Sequence, residues 1–387
     1  MTAERGRPGS SREDARAATR KHIRGSTLLL VGRGISLLVN FAVQVFTVRY
    51  LSKSDYGAFA YAFAIASTMA NVILLGLGRA ISRIAPMYEE KRDYGALYGT
   101  LFLAGGIVLG LGVAVVAGAN ALSGVLVEPS VNDPLAASLL LVLIALAPVQ
   151  ALESLGESVL AAFARPVAVF FRRFVLGPVL KLLAVLFIVL ADGDVRMLSY
   201  AYVVAGAVSV ALYGPILRTA FSRRGLLAHL VRREIRYPVR EVLAFGLPLF
   251  FSDVVHVART TLVVIVLEAV RSTTEVADFR AIAPVAGLNL VVLQSMKLLY
   301  VPAATRLFAR GDHAAIDHLF WQTAMWISVA TFPVLAACTV LAEPVTVALF
   351  GNRYAGAGAA LAVLGAGNYV NAAMGLNAFT LQVYRRV

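Results

Sequence analysis

The sequence predicts an all-α, polytopic membrane protein built as a helix bundle, and its composition and hydropathy pattern carry this prediction. Hydrophobic residues make up 59% of the 387 residues and charged residues only 15%, with a mean hydropathy of +0.78. A soluble domain usually carries about 25% charged residues. Apolar stretches of about 20 residues, enough to span a bilayer as a helix, follow one another along the chain between short polar joints.

Hydropathy and the positions of glycine, proline and polar residues predict ten spanning helices. Their ranges in chain order are 26–48, 56–78, 96–118, 135–163, 167–190, 197–221, 242–267, 277–301, 319–342 and 358–384. The joints between them are too short for a folded domain outside the membrane.

Basic residues fall mainly in alternate joints, which predicts the orientation of the chain by the positive-inside rule. The segment 1–24 is basic and lacks an apolar region followed by a cleavage site, so it is predicted to be a retained cytoplasmic tail rather than a signal peptide or a nucleic-acid-binding arm. The arginine-rich joint 222–241 is predicted to face the cytoplasm as well. The predicted outer joints carry only Arg49, Lys53, Arg196, Arg271 and Arg353.

Several kinds of chemistry are excluded by residues that the sequence lacks. A single cysteine, Cys338, cannot form an intramolecular disulfide or a CxxC site. His256 has no second histidine or cysteine at metal-ligand spacing, so no metal and no cofactor is predicted. No glycine-rich loop ends in GK[ST], so an ATP-driven pump is not expected and energy must come from a gradient.

A weak internal repeat relates the two halves of the chain. Shifting Ser52-Lys53-Ser54-Asp55 by 220 positions gives Ser272-Thr273-Thr274-Glu275, and Phe59 shifts onto Phe279. Parallel repeats of this kind occur in transporters whose substrate site lies between halves. The predicted organisation is the tail 1–24, a first lobe of six helices at 25–221, a basic connection at 222–241 and a second lobe of four helices at 242–387. The same shift leaves the second lobe two helices short, so it is expected to be incomplete.

Four motifs resemble polysaccharide-type flippases of the multidrug/oligosaccharidyl-lipid/polysaccharide (MOP) exporter superfamily. They stand at the places in the helix order where that family has them. The motifs are Val48-Arg49-Tyr50-Leu51-Ser52-Lys53-Ser54-Asp55-Tyr56-Gly57-Ala58-Phe59, Phe245-Gly246-Leu247-Pro248, Pro302 with Arg306-Leu307, and Leu349-Phe350-Gly351-Asn352-Arg353-Tyr354.

The resemblance implies a two-lobe bundle in a prokaryotic plasma membrane that exports undecaprenyl-diphosphate-linked oligosaccharides by alternating access. The resemblance also implies a role in surface polysaccharide biosynthesis. The implied partners are membrane lipids and polysaccharide-assembly proteins. The sequence departs from the family pattern midway along the seventh helix. The family often has an acidic residue there, whereas this chain has His256 and Arg259, with Asp253 a turn or two earlier.

Charged residues at membrane depth are costly and usually face a cavity or a partner, so they are the candidate site residues. Arg33 and Asn40 lie on one polar stripe of the first span, and a guanidinium matches phosphate oxygens. Asp253, His256 and Arg259 share a face at i, i+3 spacing and are predicted to hold a headgroup or to couple protons, or else to form a closed ion pair. The predicted substrate-binding residues are Arg33, Asn40, Lys181, Asp253, His256, Arg259 and Lys297.

Structural ion pairs are predicted between the fourth and fifth helices, which the Arg165-Pro166 turn makes an antiparallel hairpin. The residues concerned are Glu153, Glu157, Arg172 and Arg173, with Glu157 level with Arg173. Mutual neutralisation is the least costly way to keep such groups in lipid.

The excess of cations over carboxylates within the spans favours an anionic substrate and a transporter rather than an enzyme. Three alternatives stay open. The first is a small-molecule or multidrug antiporter of the same superfamily, the second is a membrane-embedded polysaccharide polymerase or glycosyltransferase, and the third is an inactive truncated transporter. The enzyme is disfavoured because catalytic sites concentrate on loops, which here are short.

Overall fold

The computed structural model describes residue 32 and residues 34–127, 131–163, 170–226 and 235–384. These ranges are helical apart from short connections, and no strand occurs within them. The α-helices, numbered in chain order, are α1 (Gly34–Tyr50), α2 (Lys53–Leu74), α3 (Leu77–Glu90), α4 (Tyr94–Ala121), α5 (Pro134–Leu143), α6 (Leu146–Ala162), α7 (Gly177–Leu190), α8 (Val195–Ala211), α9 (Tyr213–Ser222), α10 (Val239–Val270), α11 (Thr273–Ala286), α12 (Leu288–Ala309), α13 (His313–Thr339), α14 (Ala342–Phe350), α15 (Gly358–Met374) and α16 (Leu376–Val383).

The all-α membrane architecture predicted from the sequence is confirmed. Within the described ranges, six helical stretches are long and apolar enough to cross a membrane, or seven if α5 and α6, bent by 41°, form one span. Each of the ten predicted spans overlaps a described helix. Three shorter apolar helices, Gly34–Tyr50, Phe174–Leu190 and Thr261–Val270, coincide with the predicted first, fifth and seventh spans.

Aspartates begin several of the helices because a carboxylate accepts hydrogen bonds from otherwise unpaired N–H groups in the first turn. Asp93 accepts from the N–H of Ala96 before α4, and Asp194 accepts from the N–H of Met197 before α8. Asp133 caps α5, where Pro134 begins the helix. The tight joints that the sequence placed between spans are thus closed by local capping.

Two interruptions matter for the position of charged side chains. Between α2 and α3, Leu75 (φ 48°) and Gly76 (φ 69°) both adopt positive φ, which breaks the helix. Before α7, the segment Phe171–Leu176 forms a π-helical turn. Pro178 follows closely, and a proline removes the N–H that would bond one turn back, which favours such widened turns.

The predicted repeat is visible in the helix boundaries. The helical stretch Lys53–Glu90 and the stretch Thr273–Ala309 start and end about 220 residues apart. The next helix in each half is capped by an aspartate, Asp93 or Asp312, after a residue with positive φ. The recurring turn shows that the two halves repeat a local structure that few sequence identities preserve.

Packing divides the chain into two compact units. The first unit comprises residues up to Val43 with Tyr61–Val270, and the second comprises Gln44–Ala60 with Arg271–Val387. The seventh predicted span, α10, therefore packs in the first unit, against α3 and α4. Residues 44–60 pack in the second unit, where a Cβ on Gly57 would come within 1.9 Å of the Thr273 carbonyl oxygen. The predicted organisation in lobes 25–221 and 242–387 stays a prediction.

Candidate functional site: a charged cavity in the first unit

A polar cavity of about 200 Å³ lies inside the first unit, between α1, α2, α6, α7 and α8. A cavity needs only about 10–15 Å³ of probe-occupied volume to hold one water, so this space has room for several waters or a small ionic group. Its polar lining residues are Asn40, Gln150, Glu153, Glu157, Arg172, Lys181, Tyr202 and Ser209.

Arg172 lies in the π-helical turn and is only 2% exposed. Its Nη2 donates to Glu153 Oε1 at 2.7 Å, and its guanidinium lies 4.3 Å from the Tyr213 ring centroid. The Ser209 hydroxyl donates to the same Glu153 oxygen. The Arg172 Nε has no hydrogen-bond partner among the described residues, so one donor of a buried cation is left over. An unpaired buried donor of this kind costs free energy comparable to a lost hydrogen bond.

Lys181 lies two turns further along the same helical stretch and lines the same cavity. Its Nζ is 5.9 Å from the Phe63 ring centroid, and no carboxylate of the described residues lies within ion-pair distance of it. Glu157 also lines the cavity, while the side chain of its predicted level partner, Arg173, is not described. The structure thus places three of the four predicted ion-pair residues, Glu153, Glu157 and Arg172, around one space with the predicted ligand Lys181.

The polar stripe predicted on the first span divides between the two units. Asn40 lines the cavity, with its amide donating to the Ser36 carbonyl at 2.7 Å. Gln44, one turn later, belongs to the second unit and donates to the carbonyl of Arg280 at 2.7 Å. Arg33 lies outside the described residues.

Asp253 on α10 forms an ion pair with Arg79 on α3. The sequence had placed Arg79 in a joint and had considered only Arg259 and His256, on the helix of Asp253 itself, as ion-pair partners. The side chains of His256 and Arg259 are not described, so their predicted roles stay predictions. The Arg79 contact arises because α3 continues past the break at Gly76 and packs against α10.

Lys297, the remaining predicted ligand, lies on α12 in the second unit. Its Nζ is 4.1 Å from the Phe379 ring centroid, a cation–π contact. No carboxylate of the described chain pairs with it. Lys297 is therefore held against an aromatic face instead of a counter-charge.

The second unit contains a set of contacts that the sequence did not predict, here called the clasp. Arg49 Nε donates to the Leu349 carbonyl at 2.8 Å, and Arg49 also binds the Ala348 carbonyl, at the end of α14. In return, Arg353 donates to the carbonyls of Val48 and Arg49, at the end of α1, at 2.6 and 2.7 Å. Arg49 thus caps the carboxyl end of α14, and Arg353 caps the carboxyl end of α1. Unpaired carbonyls concentrate negative charge at both of these helix ends.

The clasp is closed by an ion pair and an aromatic ring. Lys53 Nζ lies 2.8 Å from the Asp278 carboxylate and 5.5 Å from the Tyr354 ring centroid. Arg353 lies 5.7 Å from the same ring, which is fully buried. Two of the four motifs that carried the family resemblance, around residues 48–59 and 349–354, therefore meet in space. The arginines and aromatic residues present in both motifs were the sequence signal for this contact. The capping of backbone carbonyls about 300 residues away cannot be predicted from either motif alone.

The fold is shared with solved transporters of the MOP superfamily. A multidrug resistance MATE family transporter of that superfamily, in an inward-facing conformation, is similar with a TM-score of 0.75 and 16% identity over 92% of this chain and 85% of the other. The lipid II flippase MurJ, in an inward closed conformation, has a TM-score of 0.66 and 12% identity over 93% and 77%. A MOP superfamily transporter from Pyrococcus furiosus, described by reverse polarity of its binding pocket, has a TM-score of 0.57 and 17% identity over 94% and 85%.

A family model for polysaccharide biosynthesis proteins matches residues 22–308, about three quarters of the chain. The chain belongs to this polysaccharide biosynthesis family, and its fold is the one that the MOP superfamily transporters share. This confirms the resemblance drawn from the motifs. No match was found among curated proteins.

Proposed function

We propose that the chain translocates an anionic, undecaprenyl-diphosphate-linked oligosaccharide across a prokaryotic plasma membrane by alternating access, for surface polysaccharide biosynthesis. Family membership supports the process, and the charges within the membrane support the sign of the substrate. The N-terminus faces the cytoplasm in this proposal, as the distribution of basic residues predicts.

The observation that carries the proposal is that the cavity's two cations, although matched in number by Glu153 and Glu157, are incompletely paired with them. Arg172 keeps an unpaired Nε, and Lys181 has no carboxylate partner among the described residues. A cation at membrane depth without a counter-charge is expensive unless it serves an anion or water. The cavity's cations act on a phosphoryl group or through the electrostatic field along the path of the diphosphate.

The distribution of carboxylates disfavours export of cationic drugs, although the MATE transporter with a similar fold is a multidrug resistance transporter. A drug cation needs a carboxylate that is free to bind it. In the cavity, Glu153 already accepts hydrogen bonds from Arg172 and Ser209. A membrane polymerase is disfavoured because the solved proteins of this fold that are described here are transporters.

Reconstitution tests the substrate. Proteoliposomes containing the full chain and a fluorescently tagged undecaprenyl-diphosphate oligosaccharide should expose the tag to an external quencher faster than protein-free liposomes. The same vesicles loaded with a cationic dye should show no transport above the protein-free control. Dye export without lipid exposure would replace the proposed substrate by the antiporter alternative.

Cysteine labelling tests the orientation. Ser54 and Ser222 are exposed and stand in joints predicted to lie on opposite sides of the membrane. A membrane-impermeant thiol reagent added to intact cells should label the Ser54→Cys variant and leave the Ser222→Cys variant unlabelled, while the buried Cys338 stays silent in both. The opposite pattern would reverse the topology and the proposed direction of the path.

A further inference from the structure

A second concave site lies in the first unit where α2 breaks and α3 begins. It encloses about 380 Å³ and is here called the Gly76 pocket. Its lining residues used below are Gly76, Gly78, Arg79, Arg83, Ser158 and Asp253. This site is separate from the charged cavity described above, with which it shares no lining residue.

The base of the Gly76 pocket consists of close-packed backbone. Gly76 has φ +69°, and a Cβ there would come within 2.4 Å of the Gly246 carbonyl oxygen on α10. A Cβ on Gly78 would come within 2.7 Å of the Ser158 hydroxyl on α6. α3 therefore packs closely against α10 at Gly76 and against Ser158 of α6 at Gly78, and Gly76, Leu77 and Gly78 are buried in this packing. No side chain caps this helix start.

Two arginines stand on the exposed face of α3 above this base. Arg79 and Arg83 are four residues apart and therefore neighbours on one helix face, while Leu77, Ala80, Ile81 and Ile84 of the opposite face are buried. The Arg83 guanidinium lies 4.6 Å from the Phe245 ring centroid. Contact with an aromatic ring restrains a guanidinium and leaves its N–H donors available for a planar or tetrahedral anion.

The charges in the Gly76 pocket do not balance. Asp253 is the only carboxylate among the lining residues, and it forms its ion pair with Arg79. Arg83 has no carboxylate within ion-pair distance in the described part of the chain. The pocket therefore already holds one anionic group on one arginine, and it has a second arginine for another.

We propose that the Gly76 pocket binds a phosphoryl group, with Arg83 as its main ligand and with Arg79 recruited when the incoming anion displaces Asp253. Two guanidiniums offer forked N–H donors that match the oxygens of a diphosphate. The two sources of this chemistry are the diphosphate headgroup of a lipid-linked substrate and free phosphate or pyrophosphate. The first source rests on the proposed function, since it makes the pocket a docking site for the substrate at one end of the transport path.

The test measures pyrophosphate binding to the full chain in nanodiscs of neutral phosphatidylcholine by isothermal titration. Arg83→Gln should weaken binding at least about tenfold, because a hydrogen-bonded ionic contact is lost. The pyrophosphate affinity of Arg83→Lys should lie between those of the unaltered chain and of Arg83→Gln, since lysine keeps the charge and loses the forked N–H donors of arginine. Asp253→Asn should tighten binding several-fold because Arg79 loses its internal competitor. Arg223→Gln, which removes an exposed arginine outside the pocket, is the matched control and should bind as the unaltered chain does.

Undecaprenyl diphosphate incorporated in the nanodisc distinguishes the two sources. Competition with pyrophosphate assigns the pocket to the lipid headgroup, and binding of pyrophosphate without competition assigns it to free phosphate. The proposal is overturned if pyrophosphate fails to bind, if Arg83→Gln binds as tightly as Arg223→Gln, or if a folded Asp253→Asn variant binds more weakly. In the proteoliposome assay, absent flipping by the unaltered chain refutes the proposed function, whereas normal flipping by Arg83→Gln at limiting substrate refutes only this docking role.

Discussion

The clasp and the charged cavity both contain arginines, but they satisfy those arginines differently. In the clasp, Arg49 and Arg353 donate to backbone carbonyls at helix ends, and Lys53 pairs with Asp278. In the cavity, Arg172 keeps an unpaired Nε and Lys181 has no carboxylate partner in the described chain. The cations of the clasp are partnered and hold two segments together, although the buried Tyr354 hydroxyl beside them has no hydrogen-bond partner among the described residues. An incompletely partnered cation in the cavity retains binding capacity for a mobile ion or substrate.

Substitution of Lys181 should reduce transport more than any other change proposed for this comparison, if the contrast between the clasp and the cavity is correct. Lys181→Met removes the cavity's unpaired cation while keeping a flexible chain of similar volume. Flipping in proteoliposomes should fall at least about tenfold, and the melting temperature should hold or rise because a costly buried charge is gone. Lys297→Met, which removes a cation held against Phe379, is the matched comparison. Equal flipping by Lys181→Met and the unaltered chain would leave the cavity without a role in transport.

Arg172 should affect stability more than any residue of the clasp. Arg172→Met leaves Glu153 with only the Ser209 hydroxyl, and breaking one partner of a buried ion pair costs about 3 kcal/mol or more. The double variant Arg172→Met with Glu153→Gln should recover most of that loss, since no lone charge is then buried. Denaturant unfolding in detergent measures both values. Additive losses would show that the two side chains act independently.

The sequence predicted the helices that carry these charged residues better than it predicted the contacts that the residues make. Apolar stretches predicted the helices, since bilayer thickness sets their length, and the 220-residue repeat predicted where each would recur. The predicted hairpin of the fourth and fifth helices placed Glu153 and Arg172 among the residues expected to form ion pairs between these two helices. The π-helical turn at Phe171–Leu176 carries Arg172, which pairs with Glu153, while the predicted level pair of Glu157 with Arg173 stays a prediction.

Contacts between distant segments could not be predicted in the same way. Arg79 pairs with Asp253 only because two residues of positive φ redirect α3 after α2. The reciprocal capping by Arg49 and Arg353 depends on two helix ends that are 300 residues apart in sequence. Backbone carbonyls carry no residue identity, so no pattern of side chains marks them as partners.

Gly57 tests the backbone approach on which the second unit depends. A Cβ at this position would come within 1.9 Å of the Thr273 carbonyl oxygen, so Gly57→Ala must force α2 and α11 apart. The expected loss is about 2 kcal/mol, in the range of overpacked interiors. Gly105→Ala in α4 is the control, because nothing lies within 4 Å of a Cβ there. Thermal unfolding should separate the two variants, and equal melting temperatures would contradict the close packing.

The smallest effect should come from the clasp arginines themselves, because they are partnered but near solvent. Arg353→Gln removes hydrogen bonds to the carbonyls of Val48 and Arg49. Interactions of a cation with a helix carboxyl end are worth about 0.3–1 kcal/mol when exposed, so the loss should be near 1 kcal/mol. Arg49→Gln should cost a similar amount. Arg353 holds the carboxyl end of α1, which contains Arg49, and Arg49 holds the carboxyl end of α14, which lies just before Arg353. The double variant should therefore lose less unfolding free energy than the sum of the two single losses. Strict additivity in the unfolding free energies would mean that the two caps are independent, and that the family motifs meet without cooperating.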